Sequence, residues 1–386
     1  MRVLLASSHG ADPAYGGAER YVRDLALGLE ARGHDVAVLS AFPQGEDVAG
    51  IETIVLHDAD WRESNLRRLR NHAGDVISAP WPRFRKLLDA AGPELVHTSN
   101  LPGIGSGLWE VARRRRIPVV HTLHDYHLLC ARTSLTRRDG SPCHPHAALC
   151  GLRTRRLTRW AAGVEQVVAG SNHLLDRHGG LFPASRQRVI RLPLAPPDGE
   201  RPPPPGRALG SVGYLGVLTA SKGVELLLDA AAELAQTGVE LRIAGDGPLR
   251  EQVEVAGVTY AGRVDGRAKA EFLASCDVGV VPSLWEEPSG PPYVVNEWLA
   301  AGRPVLVTRR GGLAEAAGAD GVHAFDPSSA GLLEALRDMG AEPGWSQALA
   351  KVPAAASDAD VRRWLDEHEL VYEAAVTAGA AGSTLM

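Results

Sequence analysis

The sequence predicts an α/β protein built from two doubly wound domains in tandem. Short β-branched or leucine-rich runs alternate with longer amphipathic stretches, a proline-rich segment breaks that rhythm near mid-chain, and the rhythm then restarts. A βαβα order argues for a parallel sheet covered by helices on both faces. A chain of 386 residues is long enough for two domains, each with its own core.

Val3–Ser7 reads as the first strand. Gly17–Arg32 follows as a helix, with Tyr21, Val22, Leu25, Ala26 and Leu29 on one face. Gly33 sits just past its end, where a residue without Cβ is favoured. Further strands are expected at Val36–Ser40, Thr53–Leu56, Leu95–Thr98, Val119–Thr122, Gln166–Ala169 and Val189–Leu192. The run Arg113–Arg116 closes a helix, where cations suit the C-terminal dipole. Between Leu194 and Leu209 lie Pro196, Pro197, Gly199, the run Pro202–Pro205 and Gly206, which suit neither a central strand nor a helix interior. The second set of strands falls near Leu209–Leu215, Val239–Ala244, Val258–Ala261, Val278–Val281 and Val305–Thr308. Its helices fall near Gly223–Ala235, Arg267–Ala274 and Val294–Ala301, and Asp358–Thr377 is one long helix. The expected organisation is therefore a first domain over 1–193, a linker over 194–208, a second domain over 209–357, and a terminal helix within 358–386 that could pack back on the first domain.

Hydrophobic residues make up 45% and charged residues 23%, ordinary values for a globular protein, and a net charge of -5 gives no sign of a nucleic-acid partner. The charge is uneven. Residues 1–190 hold 25 Lys/Arg against 19 Asp/Glu, and the remainder holds 16 against 27. A basic first half could meet an anionic acceptor or a membrane face, although an unevenly charged solvated surface explains it equally simply. No run approaches the roughly 18 apolar residues of a membrane span. The opening MRVLLASSHG turns polar too quickly for a signal peptide, and four cysteines make no disulfide framework, so a cytoplasmic setting is expected.

Gly16-Gly17 stands between the first strand and the first helix, where a doubly wound sheet binds ligands. Paired glycines let backbone approach a phosphate, and a helix N-terminus adds positive potential. A plain flexible loop reads the same way, and the full dinucleotide fingerprint is absent. The richest stretch runs from Pro282-Ser283-Leu284-Trp285-Glu286-Glu287-Pro288 to Tyr293-Val294-Val295-Asn296-Glu297 and on to Pro304. A strand ends there, a Gly/Pro loop follows, and a helix opens near Glu297. Two metal readings are weaker. Asp58-Ala59-Asp60 is a short pattern that chance supplies easily, and Cys130, Cys143 and Cys150 with His144 and His146 lack a regular zinc spacing.

Taken in order, these segments resemble glycosyltransferase family 4, a family of retaining enzymes with the GT-B fold, two Rossmann-like domains facing each other across a cleft. Gly16-Gly17-Ala18-Glu19-Arg20 is similar to the family's glycine loop. Glu94-Leu95-Val96-His97 and Thr122-Leu123-His124-Asp125-Tyr126 resemble its acceptor-domain strands. Tyr214-Leu215-Gly216 with Lys222-Gly223-Val224 resembles its phosphate loop, and Arg242–Pro248, Tyr260-Ala261-Gly262 and Pro282–Pro304 resemble further donor-domain segments.

The resemblance implies a nucleotide-diphosphate sugar as donor, an acceptor the sequence does not name, and no metal or other cofactor. It implies that Glu297 holds the ribose hydroxyls, Glu287 faces the donor sugar, and Lys222 beside Gly216 neutralises the diphosphate. The Gly16 and Gly17 amides would reach that diphosphate from the other domain, and His124 would lie beside the reacting centre. There are two departures. Nine residues separate Glu287 from Glu297 where the family has seven, and Val217 stands where the family carries an Arg. Arg263 and Arg309, each just after a donor-domain strand, are the candidates to replace that cation. Three other classes stay open: a fold relative that processes sugar nucleotides without making a glycoside, a nicotinamide-dependent oxidoreductase, and a non-catalytic sugar-nucleotide-binding protein.

Overall fold

A computed structural model describes residues 1–43, 45, 47–58, 64, 74, 77, 79, 81–137, 143, 148–194, 201–206, 208–353 and 357–382. The chain divides into two compact units. The first comprises Met1–Arg137, Ser141–Ile190 and Leu365–Met386, and the second includes Arg191–Trp364.

The first unit is a seven-stranded parallel sheet in the order β3-β2-β1-β4-β5-β6-β7. Its strands are β1 (Arg2–Ser7), β2 (Asp35–Ser40), β3 (Glu52–Val55), β4 (Leu95–Thr98), β5 (Val119–Leu123), β6 (Gln166–Ala169) and β7 (Gln187–Val189). The central strands β4, β5 and β6 are buried along their length because helices cover both faces, and β4 and β5 bury His97, Thr98, His121 and Thr122 among their apolar residues. The helix Gly17–Ala31 buries Tyr21, Val22, Leu25, Ala26 and Leu29, the face its periodicity predicts, and Gly33 follows at φ 83°.

From Leu365 onward the helix Asp358–Gly382 belongs to this unit. Leu365, His368, Tyr372 and Ala375 are buried at helical spacing along one face. A Cβ on Gly28 would lie 2.5 Å from the Leu365 side chain, so a glycine is what admits the terminal helix against Gly17–Ala31. Arg32 pairs with Asp366 at 2.6 Å and Glu369 at 2.5 Å, and His34 lies 2.9 Å from Glu369.

The second unit is a six-stranded parallel sheet ordered β10-β9-β8-β11-β12-β13. Its strands are β8 (Ser211–Leu215), β9 (Glu240–Ala244), β10 (Thr259–Tyr260), β11 (Val278–Val281), β12 (Val305–Thr308) and β13 (Val322–Phe325). Gly213 on β8 and Gly279 on β11 leave room for Trp298, whose ring lies 2.4 Å from where either Cβ would be. The described part of the proline-rich segment packs on this unit. Arg303 and Trp345 each donate to it, at Pro203 O and Gly206 O, both at 2.8 Å. Pro196, Pro197 and Gly199 lie outside the described residues.

Two expectations change. The seventh strand sits two residues earlier than Val189–Leu192. The helix expected from Val294 begins at Tyr293, which places Glu297 a full turn inside it. The edge strand β13 and the helices Gly311–Ala316 and Gly344–Ala350 are too short to carry a periodic signal, whereas Ser329–Gly340, also absent from the expectation, buries Leu332, Leu336 and Met339 at helical spacing.

Candidate functional site

In a parallel doubly wound sheet, ligands sit beyond the carboxyl ends of the strands where the strand order reverses. In the second unit that reversal lies between β8 and β11. Two loops leave there, Gly216–Gly223 and Pro282–Pro292, and they are bound together. Leu284 N and Trp285 N donate to Ser221 O at 2.8 and 3.1 Å. Gly223, at φ 75°, has the Pro282 carbonyl 1.9 Å from where a Cβ would lie, so no other residue fits without moving a strand end. The 13-residue helix Val224–Gln236 starts immediately after it.

This packing brings Lys222 to Glu287, Nζ to Oε1 at 2.6 Å. Ser283 Oγ donates to the same carboxylate oxygen at 2.8 Å, and the Lys222 ammonium stands 5.0 Å from the Trp285 ring centre. Glu287 is buried and its backbone carbonyl accepts from Gly312 N at 2.6 Å. Gly311 and Gly312 press against the backbone of residues 286–289 in a way a Cβ would prevent. An ammonium has three donors, so pairing with one carboxylate leaves capacity for an anion.

Glu297 accepts from Lys269 Nζ at 3.1 Å, on the helix Gly266–Ser275. Gly216 N donates to Ala244 O at 3.1 Å, so its amide is committed to the sheet edge. Val217 is 55% exposed, and its carbonyl accepts from the buried Tyr214 hydroxyl. Arg309 lies 3.5 Å from Asp326 in a groove shared with His323, Glu334 and Lys351. Arg263 is exposed after β10. It is Arg310, absent from the predicted set, that reaches the loop, donating to Leu284 O. Lys269 and Arg310 carry no sequence signal, since separations of 28 and 26 residues hide their partners, whereas Ser283 sits in the glutamate stretch itself, four residues from Glu287, and only the structure gives it a role.

In the first unit the reversal lies between β1 and β4. Gly16 has φ 153° and ψ −170°, a glycine conformation, and both Gly16 and Gly17 are exposed at the start of the helix Gly17–Ala31. Glu19 in its first turn is buried and accepts from Asn100 Nδ2 at 3.2 Å. His124 follows β5 and lines a small cavity with Asn100, Thr122 and Asp125. Its Nε2 is buried with no hydrogen-bond partner among the described residues, and burial lowers its pKa to about 3. Burial raises the Asp125 carboxyl to about 6, against the opposing hydrogen bond from His127 N. Cys130, Cys143 and Cys150 are free thiols, while Asp60, His144 and His146 lie outside the described residues.

Solved structures share this architecture. Sucrose-phosphate synthase from Thermosynechococcus elongatus aligns over 100% of this chain and 99% of its own, at TM-score 0.64 and 20% identity. HepE from Anabaena, in complex with UDP and glucose, aligns over 97% and 99%, at TM-score 0.68 and 20% identity. The fold is GT-B. A model described as Glycosyltransferase Family 4 matches residues 15–194, and one described as Glycosyl transferases group 1 matches residues 210–341. The chain belongs to glycosyltransferase family 4. Among its relatives, a 42.6 kDa protein of the cps region of Klebsiella pneumoniae is 26% identical over 82% of this chain and 87% of that one. A glycogen synthase of Mycobacterium tuberculosis is 28% identical over 91% and 89%. A GDP-mannose-dependent alpha-mannosyltransferase of the same species is 28% identical over 78% and 77%. No helix among the described residues is long and apolar enough to cross a membrane.

Proposed function

We propose that this glycosyltransferase takes a sugar from a nucleotide-diphosphate sugar and passes it to an acceptor with retention of configuration. The observation that carries the reading is Lys222. It is held 2.6 Å from the buried Glu287, at the strand-order reversal of the second sheet and beside a helix N-terminus. As the sugar leaves, negative charge grows on the diphosphate, and groups already aimed at it lower the barrier. Lys222 and the start of the helix Val224–Gln236 supply that charge from the protein, without a divalent metal. Glu287, fixed by Lys222 and Ser283, would meet the sugar hydroxyls, and Glu297 the ribose. In the first unit Gly16, Gly17 and His124 are assigned to the reacting groups. The neutral His124 orients and polarises, and the leaving phosphate accepts the acceptor proton. Exposed Leu152, Arg155 and Arg156 on the helix Ala148–Thr158 favour an acceptor presented at an anionic surface.

A thermal-shift panel of nucleotide sugars, including UDP-glucose and GDP-mannose, tests this. A true donor at 100 times its Kd adds about 2.7 kcal/mol of stability. That shift should disappear in Lys222→Ala. A donor shift of equal size in the folded Lys222→Ala protein would overturn the assignment.

A further inference from the structure

We propose that His368, on the C-terminal helix, is a positioning residue for His124, acting through a buried hydrogen-bond chain that fixes Tyr21. This rests on the reading of His124 as a reacting-site residue.

The chain has five members, all in the first unit and all buried. Tyr372 Oη lies 2.8 Å from His97 Nδ1, and His97 Nε2 lies 2.7 Å from Thr122 Oγ1. Thr122 Oγ1 lies 3.2 Å from Tyr21 Oη, which lies 2.5 Å from His368 Nε2. The Tyr21 ring meets His124 edge-on, with centroids 4.7 Å apart and planes at 71°. Thr122 stands two residues before His124, so the same strand end carries the middle of the chain and the residue it serves.

The single proton of Thr122 sets the direction of every bond. If it goes to Tyr21, His97 must donate from Nε2 and accept from Tyr372 at Nδ1, and Tyr21 must donate to His368. If it goes to His97 Nε2, every bond reverses, and His368 donates from Nε2 to Tyr21. With both rings neutral, His97 and His368 hold opposite tautomers in either direction, and Tyr21 is held from both sides. Burial keeps His97 neutral, as this arrangement requires. Among the described residues His124 has no hydrogen bond at Nε2, and packing against the Tyr21 ring is a restraint the structure shows on its imidazole. Removing the His368 end leaves the Tyr21 hydroxyl tied to Thr122 by the longer, 3.2 Å bond and loosens that wall.

The test compares His368→Leu, His368→Gln and Tyr21→Phe in the full-length protein. The first readout is nitrogen-15 NMR of the histidine rings without ligand, with His124 assigned through His124→Gln. His368→Leu and Tyr21→Phe should shift and broaden the His124 resonances, and His368→Gln, which keeps a partner for Tyr21, should restore them. The wild-type spectrum should show His97 and His368 in opposite tautomers. Unchanged His124 resonances in both His368→Leu and Tyr21→Phe would overturn the proposal, and Tyr21→Phe decides alone if His368→Leu does not fold. The second readout is turnover with the nucleotide sugar that gives the thermal shift. His368→Leu should lower kcat roughly tenfold with KM unchanged. The double variant His368→Leu/Tyr21→Phe should lose no more than the single ones, and additive losses would contradict a shared chain. If no nucleotide sugar binds, the function reading fails while the NMR comparison still decides this one.

Discussion

At the residue scale, Lys222 and Glu287 show what the sequence made legible. Each was named from resemblance, but their contact across 65 residues was not, because it depends on Gly223 and Gly311 admitting backbone where a Cβ would clash. Lys269 with Glu297, and Tyr21 with His368, were invisible for the same reason, since separations of 28 and 347 residues are bridged only by the fold. Three arginines of the second unit bear on the missing cation. Arg309 stands beside Asp326, Arg263 is exposed, and Arg310 is engaged at Leu284 O. Lys222 is the cation the structure places against Glu287 at the strand reversal, and Val217, on the same loop, is exposed. Val217→Arg is expected to tighten nucleoside diphosphate binding by about 1–2 kcal/mol, since a guanidinium there adds a charge-assisted pair. Isothermal calorimetry with UDP and GDP measures it, and unchanged or weaker binding would show that another cation already serves the phosphates.

At the scale of elements, the strands Leu95–Thr98, Gln166–Ala169, Val278–Val281 and Val305–Thr308 lie at the residues their apolar runs predict. They are central and covered on both faces, so burial alone marks them. Of the edge strands, β3 and β7 are displaced from their predicted residues, β10 is shorter and β13 was not predicted, because one open side removes that mark. The helix Tyr293–Ala300 is placed by something the periodicity did not reveal, the pair Gly213 and Gly279 under Trp298. This close approach sets where Glu297, the preceding residue, stands. Gly279→Ala should therefore lift the helix. We expect a loss of about 1–3 kcal/mol in urea unfolding, the usual scale of overpacking, together with weaker nucleotide binding. A destabilised protein with undiminished nucleotide affinity would mean that the helix seat does not position Glu297.

At the scale of the whole molecule, the two units differ in how many neutral histidines they bury. In the first unit burial lowers His121 to about 3 and His178 to about 4, and it pushes His97 down as well. An unfolded histidine binds its proton below about 6.5, whereas these do not. Their stability contribution is thus complete above pH 6.5 and is lost as pH falls toward the folded values. At pH 5 that amounts to about 2 kcal/mol each for His121 and His178. Asp125 works in the opposite sense, because its raised pKa of about 6 makes the folded state bind more protons than the unfolded, returning about 1–1.5 kcal/mol between pH 7.5 and 5. In the second unit, among the described residues, His323 is the histidine with a lowered pKa, and it is only partly buried. The first unit should therefore lose stability first on acidification. Hydrogen exchange through a urea titration should show β4 and β5 opening well before β8 and β11 at pH 5, with that gap much smaller at pH 7.5. Equal opening of both sheets at pH 5 would mean that these histidines gain compensating partners on protonation, and would remove the acid lability argued from their burial.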